Sequence, residues 1–177
     1  MADWILEQSD DFDRADGPLG AAWAQAFAGA IVIASQRAVY SGIWGGGGYP
    51  AWMVTEATTD DQAVEADVIC PANNANHKIG LRVDSDTEDL DGYWLTVAGQ
   101  EIYLSTIAWS LGDFVGMTGA FGADPTFRLE AEGTTLRFFI DGTQRWTDTR
   151  NDWPGGPGAN HCGLIRKSSV ICCKAGR

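Results

Sequence analysis

The chain has 177 residues and a mass of 19.0 kDa, with 45% hydrophobic and 20% charged residues. These are ordinary globular values, long enough for a core and too apolar for disorder. The balance of 12 basic against 24 acidic side chains, a net of −12, excludes direct binding to nucleic acid, which needs a basic footprint. No apolar run reaches the roughly 18 residues of a membrane-spanning helix.

The N-terminus, Met1-Ala2-Asp3-Trp4, has neither a basic region nor an apolar one, so no cleaved export signal is expected. Leu19–Phe27 is Ala-rich, which is compatible with a short helical turn, but two Gly and one Pro bracket it. Strands are expected at 31–35, 38–41 and 52–57. Residues 63–70 alternate small or apolar residues with Glu65 and Asp67, the pattern of a half-buried strand. Further strands are expected at 78–84, 93–97, 101–107 and 162–165.

Between them, 127–132, 136–140 and 144–146 are joined by Glu132-Gly133 and Asp141-Gly142, which predicts an antiparallel meander, since Gly takes a positive φ in a tight turn without steric cost. About ten to twelve short strands and no helical periodicity predict an all-β fold, a two-sheet antiparallel jelly-roll sandwich. No linker divides the chain, so 1–177 reads as one domain. The end, 167–177, reads as a tail that docks within the chain or on a neighbour.

Residues 1–91 carry 16 acidic and 4 basic groups, and residues 92–177 carry 8 of each. A solvated acidic face and a docked neutral face would account for this. The four cysteines, 70, 162, 172 and 173, match no zinc spacing. Without an export signal, free buried thiols are expected. A bond from Cys70 to the C-terminal cysteines stays open for a protein that ends outside a cell.

The opening run Asp10-Asp11-Phe12-Asp13-Arg14-Ala15-Asp16-Gly17-Pro18-Leu19-Gly20, followed by Trp23, resembles that of laminin-G-like and concanavalin-A-like jelly-roll domains. Such domains occur in bacterial secreted proteins and in tail proteins of actinobacterial tailed phages. Gly80–Val83 with Gly92–Trp94, the pair 127–132 and 136–142, and Gly163–Ile165 extend the likeness over about 8–166. The resemblance implies a non-enzymatic virion protein, either a minor tail or a capsid-decoration subunit. It would be assembled in the host cytoplasm and would contact other virion proteins or its own copies.

Individual residues suggest other chemistries. Jelly-roll glucanases of the laminarinase type carry Glu-x-Asp-x-x-Glu. Here Glu65-Ala66-Asp67 has the first spacing but Cys70 stands in the last place. Glu130 and Glu132 alternate with core positions, which predicts a solvated strand face rather than a catalytic pair. No nucleophile elbow or phosphate loop is present. His77 and His161 are too far apart in sequence to suggest zinc, and no cofactor is expected.

A weak calcium candidate is the acidic run Asp84, Asp86, Glu88, Asp89 and Asp91. It lacks the Gly and Glu of a calcium loop and reads more simply as an exposed hairpin tip. Trp44, Tyr49, Trp109 and Trp153 sit in or beside loops, where the core does not need them. They are candidates for stacking on the sugars of a host surface glycan or for anchoring a protein interface. Trp23, Trp94 and Trp146 lie in strand patterns and are expected in the core.

Overall fold

The computed structural model describes residues 5–25, 31–40, 51–53, 59–68, 76–84, 90–108, 110–151, 161–165 and 168–175. For 40, 52–53, 76, 163–165 and 168–175 the description is of the backbone. Among these residues there is no helix. The strands are β1 (Ile5–Asp10), β2 (Gly17–Pro18), β3 (Trp23–Gln25), β4 (Ile31–Ile33), β5 (Ala38–Tyr40), β6 (Ala51–Met53), β7 (Gln62–Val68) and β8 (Asn76–Val83). There follow β9 (Tyr93–Ala98), β10 (Glu101–Ser105), β11 (Asp113–Met117), β12 (Thr126–Glu132), β13 (Thr135–Ile140), β14 (Thr143–Thr149), β15 (His161–Ile165) and β16 (Ser168–Ala175).

They form two antiparallel sheets. The first runs β14-β13-β12-β7-β16-β5-β4-β2, with β1 also paired to β16, and the second runs β11-β10-β9-β8-β15-β6-β3. The sheets pack face to face in matching order. β14 meets β11 at one edge, and β7 and β12 lie over β8.

Alternation builds the core. Val64, Ala66 and Val68 of β7, Phe127, Leu129 and Ala131 of β12, and Leu136, Phe138 and Ile140 of β13 point inward. They meet Ile79, Leu81, Tyr93, Leu95, Val97, Ile102 and Leu104 of the second sheet. Removing these surfaces from water is the main favourable term of the fold.

Arg82, 2% exposed, braces one end. Its guanidinium donates to the carbonyls of Asp60 and Gly133, each at 2.8 Å, while its backbone N–H donates to Gln62 Oε1 at 2.9 Å. A buried cation without such acceptors would be strongly destabilising.

The opening run folds into a knot around Asp10. Its carboxylate accepts from the Phe12 N–H (2.8 Å), the Arg14 guanidinium (2.6 and 2.9 Å) and the Trp23 indole N–H (2.7 Å). Phe12 is fully buried at φ 56°, with its ring 5.9 Å from that of Trp23.

Over Leu19–Gln25 this knot stands where the Ala-rich composition is compatible with a helical turn; Ala26 and Phe27 lie outside the described residues. Gly20, at φ +93°, turns the chain, and residues 23–25 extend to pair with β6. Ser168–Ala175, read as a tail, is a strand between β7 and β1. Cys162 is fully buried and disulfide-bonded, which corrects the free-thiol expectation for that residue.

Candidate functional site

The outer face of the second sheet carries a row of four cross-strand partners, Lys78 on β8, Thr96 on β9, Tyr103 on β10 and Phe114 on β11. Directly opposite residues share a face of a sheet, so one floor presents all four. The row runs from buried to exposed. Lys78 and Thr96 are buried, Tyr103 is half-buried and Phe114 is 57% exposed.

The loop after β10 closes over the buried end. The Lys78 ammonium donates to the carbonyl of Ala108 at 2.8 Å and to that of Ser110. Ser105 Oγ donates to the Ile107 carbonyl at 2.7 Å, and the Gly112 N–H donates to Ser110 Oγ at 3.0 Å. Gly112 is at φ +88°, and a Cβ there would lie 2.1 Å from the Leu104 carbonyl oxygen, so only glycine lets the loop return this close. Burial lowers the Lys78 pKa to about 8, because an ammonium out of water is penalised. Thr96 Oγ1 is buried beside it with no hydrogen-bond partner among the described residues.

The open end is aromatic and acidic. The rings of Tyr103 and Phe114 meet edge to face, 5.9 Å apart at 75°. The Tyr103 hydroxyl donates to Glu101 Oε2 at 2.5 Å, and that bond raises the phenol's pKa. Leu111 (43% exposed) and Met117 (53% exposed) stand three residues before and three after Phe114 in the chain. This edge is the largest concentration of exposed apolar side chains among the described residues, which otherwise adds Ile5 and Leu6 on β1.

Of the residues singled out from the sequence, Trp44, Tyr49, Trp109 and Trp153 lie outside the described residues. Asp86, Glu88 and Asp89 do too. The residues on either side of Trp109, Ala108 and Ser110, are the two that Lys78 holds. Asp84 and Asp91 close the base of their hairpin, with the Asp84 N–H donating to the Asp91 carbonyl at 2.7 Å. Among the described residues no three His, Cys, Asp or Glu side chains gather as a metal site.

Trp23 and Trp94 are buried, and Trp146 packs against the core. Trp94 is not between the sheets. It lies on the outer face with Val83, Leu90 and Ala108, and its indole N–H donates to the Leu90 carbonyl at 2.8 Å.

The carboxylates raised as catalytic candidates lie on the outer face of the first sheet, where Glu65, Glu130 and Glu132 are engaged with arginines. Glu130, expected on a solvated face, is instead buried at 4% exposure. Arg128 sits 3.8 Å from Glu65, 3.0 Å from Glu130 and 4.4 Å from the centre of the Phe139 ring. Arg137 pairs with Glu132 at 2.7 Å, and Asp67 accepts from Thr126 Oγ1 at 2.6 Å. Among the described residues of β8 to β10, the outer face of the second sheet offers one carboxylate, Glu101.

Sequence reasoning missed Tyr103, Phe114, Leu111 and Met117. The available signal was Phe114–Met117, a run without a polar side chain or alternation between Gly112 and Gly119, which is a bare edge strand.

No protein-family model matches the sequence, and no curated protein does. Solved structures do match. A carbohydrate-binding module, CBM66 from Bacillus subtilis, superimposes with a TM-score of 0.59 at 12% identity, covering 88% of this chain and 93% of that one. The catalytic domain of an endo-1,3-β-glucanase (laminarinase) from Thermotoga petrophila RKU-1 gives 0.62 at 10% identity and covers 100% of both chains. β-Agarase A in complex with oligoagarose gives 0.62 at 15% identity, covering 97% of this chain and 92% of that one. These neighbours are concanavalin-A-like jelly-roll domains, and this chain shares their all-β, two-sheet fold.

Proposed function

We propose that the chain is a non-catalytic glycan-binding module whose sugar platform is the open end of the Lys78–Phe114 row. One observation carries this reading. Tyr103 and Phe114 form an aromatic pair on an outer sheet face, half-buried and 57% exposed respectively, with the Glu101 carboxylate alongside. Aromatic rings offer apolar faces to pyranose C–H groups, and a carboxylate accepts from sugar hydroxyls.

Hydrolysis of a glycosidic bond needs two carboxyl groups flanking it. The single described carboxylate of β8–β10 and the Arg-paired carboxylates of the opposite sheet both argue for binding without cleavage. The carbohydrate-directed names of the structural neighbours support this reading over a virion building block. The net charge of −12 favours neutral glycans over uronate-rich or sulfated ones, which it would repel.

A glycan array spanning neutral glucans, arabinans and galactans, with polyuronates as the contrast, tests this. Binding to a neutral polymer without release of reducing sugar is expected. Binding to none, or cleavage of one, would reject it.

The second reading is a protein-assembly subunit, such as a virion tail or decoration protein. It is favoured by the apolar trio Leu111, Phe114 and Met117 at the sheet edge, a composition suited to an interface. Light scattering of the full chain separates the two, since a stable oligomer that masks Phe114 would favour assembly.

A further inference from the structure

Cys162 is disulfide-bonded, and the strand order identifies its partner. We propose that the bond joins Cys162 to Cys173 and ties the C-terminal strand to the opposite sheet.

Counted from the edge where β14 meets β11, β16 is fifth in its sheet and β15 is fifth in the other. The fourth strands, β7 and β8, lie over one another, so the fifth strands also face each other. The level along the strands follows from two contacts. Gln62 of β7 bonds the Arg82 N–H of β8 at one end. At the other end His77 of β8 meets Phe127, which pairs with Ala66.

On β15, His161 pairs with Val83 and Gly163 with Gly80, which sets Cys162 at the level of Leu81 and Arg82. On β16, Cys173 pairs with Val64 and Ala175 with Gln62, so Cys173 reaches the same level. Cys173 stands opposite Val64, a core residue, whereas Cys172 stands opposite Glu65 on the outer face. Cys162 belongs to the core between the sheets. Cys70 lies outside the described residues, and a link to it is an outcome of the test below. A disulfide requires Cα atoms within about 7 Å, and a bond between the two sheets is a known staple of β-sandwiches.

Formation is a thiol–disulfide exchange. Cys162 and Cys173 each give up a proton, the new S–S bond forms, and the two electrons reduce an external disulfide such as oxidised glutathione to two thiols. A bond of this kind persists where the surroundings are oxidising, so the proposal puts the working protein outside a reducing cytosol.

The test is peptide mapping of the full chain after incubation with oxidised glutathione and alkylation, without reductant. Trypsin should release peptide 151–166 cross-linked to peptide 168–174. The Cys172→Ser chain should keep that link, since Cys173 is then the one cysteine in its peptide. Cys173→Ser should lose it and leave Cys162 alkylated or joined to glutathione. A link from Cys162 to Cys70, loss of the link in Cys172→Ser, or alkylation of all four cysteines would overturn the proposal. The Cys172→Ser result decides the matter even where Cys173→Ser fails to fold.

Discussion

The indole of Trp94 fills the space that a side chain at position 80 would need. A Cβ on Gly80 would lie 2.6 Å from Trp94 Cε3. The two residues are cross-strand partners on the outer face of the second sheet, so the glycine lets the indole lie flat against the floor of the candidate site. Gly80→Ala should therefore destabilise the fold by about 1–3 kcal/mol through overpacking. Trp94→Ala should cost about 3–5 kcal/mol through the cavity left behind. Urea unfolding of both variants checks the pair. A neutral Gly80→Ala would mean that the indole can move aside.

Lys78 gives a pH signature. Its pKa in the fold is about 8 against an ordinary 10.5. The cost of burying its ammonium is fully present below pH 8, where the folded and unfolded chains are both protonated. Between about 8 and 10.5 the unfolded chain binds more protons than the folded one, so this residue's contribution to stability rises with pH. Across the window the gain is on the order of 3 kcal/mol. Denaturant unfolding of Lys78→Met at pH 7.5 and pH 10 should lack that rise relative to the parent. Parallel pH profiles would show that Lys78 titrates normally.

Asp10 gives the opposite signature. Burial alone would raise its pKa, but the hydrogen bonds from Arg14, the Phe12 N–H and the Trp23 indole outweigh that and hold it below 3.8. The stability it confers is complete above its unfolded value and is lost as pH falls through the folded one. Asp10→Asn should lower the melting temperature at pH 7 and flatten its decline between pH 5 and pH 2. An equal decline in both proteins would remove Asp10 from the account of acid unfolding.

How much of this was legible in the sequence depends on burial. Gln62–Val68, Thr126–Glu132 and Thr135–Ile140 are readable because their alternate apolar side chains face the core, although on the other face the partners Ala63 and Glu130 are buried as well. Ile5–Asp10 and Asp113–Met117 lie mostly exposed, so no core imposes a period on them. Ser168–Ala175 combines Ser-Ser and Cys-Cys steps that read as a tail. The Ala-rich stretch after Leu19 has helical propensity, yet the Asp10 bond to Trp23 draws it into the knot, a tertiary override of a weak preference.

The candidate site was less visible still. Tyr103 and Phe114 become neighbours through the β10–β11 register alone. Sequence inspection turned to loop aromatics and passed over an aromatic on an edge strand.

The sugar platform depends on Phe114. Its side chain is 57% exposed, so Phe114→Ala should change folding stability by less than about 0.5 kcal/mol. The decisive measurement is calorimetric titration of the parent and Phe114→Ala with a soluble oligosaccharide of whichever neutral polymer the array identifies. At least a tenfold loss of affinity, about 1.4 kcal/mol, is expected at unchanged melting temperature. Equal affinity in the two proteins would rule out a sugar platform at Phe114.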